Sequence, residues 1–310
     1  MLTLEDDQLV FRAPDVEPGA KLAISFQRSL RVPLNGQSYP LPITIGQFPV
    51  RHVEDYPGTL SAQTQRRGGV ILPMWQAEAL WIRFQNLSTS TPVFPFAVKV
   101  AAGKVNVLTG QPWHPALKQA PQDYVVCPEQ RWLSGFAFGD GPPRQFVAHP
   151  LGTGHSAEEL ITSRAEWGGI QISVLPLRAE AWAAKRPQWE ELLRQRKAEE
   201  DEAYSVAFML RSSPTMGLAP GGFSYQRVPD DFFDVSDWDL SVASRVFVTL
   251  VHSKDWEKIT GESAPAPPTA KRYKQNRLPW LEVYGSDRKR AWYSRVLASV
   301  RFRRDHWRTR

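Results

Sequence analysis

Cysteine is almost absent: Cys127 is the only one in 310 residues. A lone thiol cannot close an internal disulfide, and zinc sites built on paired cysteines are excluded with it. Histidine is also scarce, six in all, with no H-E-x-x-H pair to seat a catalytic zinc. No apolar run approaches the ~20 residues of a membrane helix, and no fixed-period repeat is present. The opening MLTLEDDQLVFRAP holds no charged-then-apolar leader. With the lone cysteine, this predicts a soluble, cytoplasmic protein.

Proline (26) and tryptophan (12) are by contrast frequent. Prolines break helices and punctuate short strands, and the strand signals agree. KLAISFQRSLRV alternates Leu22, Ile24 and Phe26 with Ala23, Ser25 and Gln27. GGVILPMWQAEALWIRFQ sets Leu80, Ile82 and Phe84 on one face, after a strand-interrupting Pro73. RQFVAHPLG, WGGIQISVLPL, AYSVAFML, GGFSYQRV and SRVFVTLVHS read as further strands. RAEAWAAKRPQWEELLRQRKAEEDEAY has helical spacing of Trp182, Trp189, Leu192 and Leu193, with a break or a new start at Pro187. SKDWEKITG predicts a short helix capped by Ser253 and ended by Gly261. The expected fold is mainly β, a sandwich or a partly closed barrel, with a helical insertion and a helical C-terminus; α+β is the alternative. In domain terms this gives a β-rich part at 1–177, a helical segment at 178–203 and a β-rich continuation at 204–263. A Pro-rich connector with a short helix follows at 264–286, and a basic helix at 287–310.

Chemical motifs fail one by one. In FAVKVAAGKVNVLTGQPW a phosphate loop requires Gly where Val98 stands and Ser or Thr where Val105 stands. The alternation on either side reads instead as a hairpin turning at Gly103. GTGHSAEE matches a nucleophile elbow until its last position, where Glu158 replaces the glycine that permits the sharp turn. Ser156 reads better as the cap of a helix starting at Ala157. Asp230, Asp231, Asp234, Asp237 and Asp239 crowd PDDFFDVSDWD, a calcium candidate without an EF-hand's central Gly and final Glu. A solvated acidic loop is the alternative, and no cofactor is implied. Trp75, Trp81, Trp132, Trp167 and Trp182 are assigned to the core.

The basic charge is concentrated at the end of the chain. Residues 271–310 hold 13 Lys/Arg against three acids, a net +10, which leaves about −4 for the other 270 residues. Arg288, Lys289, Arg290, Arg295, Arg303 and Arg304, interleaved with aromatics, are the anion-binding candidates for nucleic acid or an anionic surface. PFAVKVAAGKVNVLTG, PQDYVVCPEQRWLSGF, RQFVAHPLGTGHSAEE, GGIQISVLP, MGLAPGGFSYQ and VHSKDWEKITGESAPAPPTAKRYKQNRLPW resemble a family of uncharacterised bacterial proteins of about this length, with relatives in fungi. The resemblance spans about Phe26 to Trp280 and implies one unit there. It implies no activity, cofactor or catalytic residue.

The leading expectation is a non-enzymatic binding or assembly module, its partner a protein or a second copy. The exit of the hairpin places Trp113 and His114 as ligand-binding candidates. The alternative is a hydrolase-type enzyme with a dispersed site drawn from Asp123, Glu129, Gln145, His149 and His155.

Overall fold

The computed structural model describes residues 1–32, 44–137, 144–208, 228–276 and 278. In chain order these form β1 (Leu2–Glu5), β2 (Gln8–Arg12), β3 (Lys21–Leu30), β4 (Thr44–Gln47), β5 (Arg51–His52), α1 (Ala62–Arg67), β6 (Val70–Met74), β7 (Glu78–Asn86), β8 (Phe96–Ala102), β9 (Val105–Asn106), β10 (Val125–Cys127), β11 (Trp132–Leu133), β12 (Gly135–Phe136), β13 (Arg144–Val147), α2 (Ala157–Thr162), β14 (Ile170–Pro176), α3 (Ala179–Phe208), β15 (Ser244–His252), α4 (Ser253–Thr260) and α5 (Ala270–Gln275). The strands make two sheets that are not closed into a barrel. Sheet A runs β1-β2-β3-β7-β13-β12, with β4 added to β3 and β11 to β7. Sheet B runs β10-β8-β14-β15-β6-β5, with β9 added to β8.

Alternation along the strands explains why the sheets pair. Leu22, Ile24 and Phe26 of β3 and Leu80, Ile82 and Phe84 of β7 turn inward from sheet A. Phe96, Val98 and Val100 of β8 and Ile170, Ile172 and Val174 of β14 turn inward from sheet B. All twelve belong to one buried cluster. Fully burying each such side chain contributes about 1.5–3 kcal/mol. Phe233, Trp238, Val246 and Val248 lie in the same cluster, so the later strand region completes the first part's core.

Local expectations hold where turns and caps set the geometry. β8 and β9 pair with Ala102 opposite Val105, and Gly103 turns the chain at φ 59°, the glycine-first pattern of a two-residue hairpin. Ser156 caps α2 in a reciprocal capping box with Glu159, whose N–H it accepts at 3.2 Å. Four details differ. Pro73 does not interrupt β6: it pairs in parallel with Val251, and β5 covers only Val70 and Ile71 on the other edge, so its missing N–H falls beyond that pairing. The helix α3 continues through Pro187. The lost hydrogen bond and the ring's clash with the preceding turn cost about 3 kcal/mol or more, but Trp182 and Trp189 on either side are buried in the core. Ala203–Phe208, expected as a strand, extends this helix. α4 is capped one residue early, His252 Nδ1 accepting from Lys254 N at 3.1 Å, while Ser253 is buried within the helix.

The Pro-rich connector packs tightly on the sandwich. Trp75 Nε1 donates to Pro265 O at 2.8 Å and Arg28 to Ala266 O at 2.7 Å. Tyr273, fully buried on α5, donates to Ala77 O at 2.6 Å and accepts from Arg31 N at 3.0 Å. Beneath this strap lies a buried ion pair, Arg28 to Glu78 at 2.8 Å. Residues 287–310, with the basic helix and its anion-binding candidates Arg288, Lys289, Arg290, Arg295, Arg303 and Arg304, lie outside the described residues, as does most of GGFSYQRV. No helix among the described residues is long and apolar enough to cross a membrane.

Candidate functional site

Because the even-numbered residues of β7 face the core, its odd-numbered residues face outward. Trp81, Arg83 and Gln85 therefore stand in a row on the outer face of sheet A. The short strand β11 brings Trp132 directly opposite Arg83, close enough for cross-strand contact. With Asn86, Pro128 and Arg131 these side chains line a groove of about 380 Å³. Trp132 is 39% exposed, one of the few large apolar side chains so open to solvent.

The groove is held by a fixed frame. Phe84 N donates to Arg131 O at 2.8 Å, and Gln130 Nε2 to Trp132 O at 2.6 Å. Gln130, buried, also takes its N–H to Val126 O at 2.8 Å. On the other flank β3 sets Gln27 beside Trp81 and Ser25 beside Arg83. Both are buried and joined, Gln27 Nε2 donating to Ser25 Oγ at 3.0 Å. Within this frame the indole N–H of Trp81 is buried and has no acceptor. Leaving a buried donor unpaired costs about 1–3 kcal/mol, and the indole N–H groups of Trp113 and Trp256 are left in the same state. Arg83 makes no ion pair or hydrogen bond among the described residues, and no carboxylate lines the groove. Its chemistry is that of two flat indole faces and a set of hydrogen-bond donors with net positive charge.

The five polar residues proposed as a dispersed catalytic site have separate partners. Asp123 accepts from Lys99 Nζ at 2.6 Å, under sheet B's outer face, and from Lys118 N at 2.9 Å. Burial pushes the Lys99 ammonium down from its ordinary range, with Asp123 opposing the shift. Glu129 is buried with neither oxygen hydrogen-bonded, and the Arg196 guanidinium stands 3.1 Å away off the hydrogen-bonding line. Burial pushes its carboxyl up, partly countered by Arg196. Gln145 bridges the end of β3, accepting from Val32 N at 2.8 Å and donating to Leu30 O at 3.0 Å. His149 and His155 stack with ring centroids 5.4 Å apart. Burial, then the charges of Arg31 and His155, push His149 down to about 4. Of the five, the two histidines are in direct ring contact.

The remaining candidates are also placed. Trp113 lies between Lys99 and Arg245, 5.4 and 5.9 Å from its ring centre, and His114 is exposed, its Nδ1 accepting from Ala116 N at 3.1 Å. In the acidic loop four of the five carboxylates have partners. Asp231, buried, accepts from the Tyr124 hydroxyl and from Trp238 Nε1 at 2.8 Å. Asp234 and Asp237 hold Lys185 at 2.7 and 2.6 Å. Asp239 accepts from Ser241 N at 2.9 Å, and Asp230 is exposed. No group of three or more His, Cys, Asp or Glu among the described residues is placed to hold a metal ion.

Sequence reasoning missed the groove because it gave Trp81 and Trp132 to the core. Of the five tryptophans so assigned, only Trp182 is buried; Trp75, Trp81 and Trp167 are half-buried and Trp132 is exposed. Parity was the available signal: Trp81 falls out of phase with Leu80, Ile82 and Phe84. No family model matches this chain, and no curated protein or solved structure matches it.

Proposed function

We propose that this protein is a non-enzymatic binding module that takes an anionic ligand with a flat face into the groove at Trp81, Arg83 and Trp132. The exposed indole of Trp132, set directly opposite Arg83 whose guanidinium is unpaired among the described residues, carries the reading. Such a surface offers stacking area, charge and donors that the fold itself does not consume. The separate structural partners of Asp123, Glu129, Gln145 and His149 support binding over catalysis, since acid–base work requires its groups within reach of one reacting atom.

A small probe of this chemistry is 8-anilinonaphthalene-1-sulfonate, which pairs an aromatic face with one negative charge. Fluorescence titration of the folded full chain is expected to give saturable binding at one site, weakened several-fold by Trp132→Ala and by Arg83→Gln. Binding that is unchanged in both variants, or absent in the wild type, would defeat the proposal.

A further inference from the structure

Resting on that reading, we infer that the natural occupant of the groove is a single-stranded nucleic acid, lying along the outer face of sheet A. The argument begins with hydrogen-bond polarity. Arg and Trp side chains are donors only; the exposed Arg83 and Trp132 bring their donors to this groove, and Trp81 adds an indole face. Asn86 is already spent, its Nδ2 donating to Phe94 O at 2.7 Å and its Oδ1 accepting from Ser88 N at 3.0 Å. A hydroxyl-rich sugar polymer is held largely by carboxylate and amide oxygens, and among the described residues the groove has no carboxylate and one free side-chain amide, Gln85. Phosphodiester oxygens and base carbonyls are acceptors, and they match it.

Spacing supplies the second step. Trp81 and Arg83 are two residues apart on one strand face, about 7 Å, and Trp132 is the direct cross-strand neighbour of Arg83, about 5 Å away between Cβ atoms. A guanidinium is thus flanked by two indoles. A nucleotide strand repeats the complementary pattern, a charged phosphate between flat bases. In a duplex those faces are stacked away, whereas a single strand offers them to aromatic side chains.

The test is fluorescence anisotropy of a labelled oligothymidylate of about twelve nucleotides, titrated with the full chain at two salt concentrations. Trp132→Ala is expected to weaken binding about fivefold or more, and Trp132→Phe to restore most of it. Arg83→Gln is expected to weaken binding and flatten its salt dependence by about 0.7 in log–log slope, the loss of one phosphate contact. The same sequence as a duplex is expected to bind less tightly. The inference is overturned if the oligonucleotide is not bound, or if both Trp132→Ala and Arg83→Gln bind it as the wild type does, which places the contact elsewhere on the chain. It is overturned too if polygalacturonate binds the groove and the oligonucleotide does not. Sulfonate-probe binding that depends on Trp132, together with failure of the oligonucleotide, removes this inference and leaves the binding-module reading standing.

Discussion

Replacing Glu129 with glutamine is expected to stabilise this protein at neutral pH. The glutamate side chain is 4% exposed, and neither oxygen accepts a hydrogen bond. Arg196, the cation beside it among the described residues, is 45% exposed, so water screens the attraction. Half-exposed pairs of this kind contribute about 0.2–1 kcal/mol, whereas a buried, unpaired acceptor costs about 1–3 kcal/mol, and more when charged. Burial therefore outweighs the ion pair, and the carboxyl is pushed up from its ordinary value of 4.5. The sign follows from proton linkage. A carboxyl raised in the folded state binds its proton more tightly there than in the unfolded chain, so stability is greatest at low pH and declines as pH rises through the raised value. Glu129→Gln removes the charge while keeping the shape. The expected gain is about 1 kcal/mol at pH 7, the excess cost of a charged over a neutral unpaired buried group less a weak ion pair, fading as the solution is acidified towards 4.5. Urea denaturation of both proteins across that pH range measures it. A variant that is less stable at pH 7, or a difference that does not shrink on acidification, would refute the reasoning.

Two further perturbations test the frame around the core. Glu78→Ala leaves the buried Arg28 without its carboxylate and frees Trp75 N, which donates to Glu78 at 2.8 Å; the expected loss is about 3–5 kcal/mol. Replacing both partners with Arg28→Met and Glu78→Leu is expected to cost less than Glu78→Ala alone, measured by urea midpoint. His149 is expected to titrate near 4 by NMR. Because the unfolded imidazole takes its proton near 6.5, the folded state loses stability as pH falls from that value towards 4. His149→Phe is expected to remove that part of the acid sensitivity, and a normal imidazole titration would contradict it.

How much of this was legible depended on the range of the interaction. The hairpin at Gly103 and the Ser156 cap were readable because a turn or a cap is decided within a few residues: a glycine at φ 59° and a side chain reaching the third N–H ahead. The inward faces of β3 and β7 were readable by the same local rule, alternation. The continuity of α3 was not, because Pro187 is a helix breaker by its own chemistry and was overruled by Trp182 and Trp189 anchoring in a distant core. The docking of the Pro-rich connector on the sheets was not legible for a parallel reason. Its composition forbids regular structure, but its carbonyls at Pro265 and Ala266 meet Trp75 and Arg28, donors nearly two hundred residues or more away in sequence.

The candidate site divides in the same way. Residue types alone placed tryptophans in strands and put them in the core, since burial is the usual fate of an indole. Only pairing could bring β11 to the edge of β7 and put Trp132 across from Arg83. Equally, only folding could decide the partners that Asp123, Glu129 and Gln145 engage. By itself the sequence determined the elements whose causes are local: alternating strands, turns, caps, and the lack of disulfide or known metal motifs. The tertiary structure decided which faces those strands turned to each other and which indoles were left outside, because contacts between residues far apart in the chain depend on sheet order and register, and neither is written in any short window.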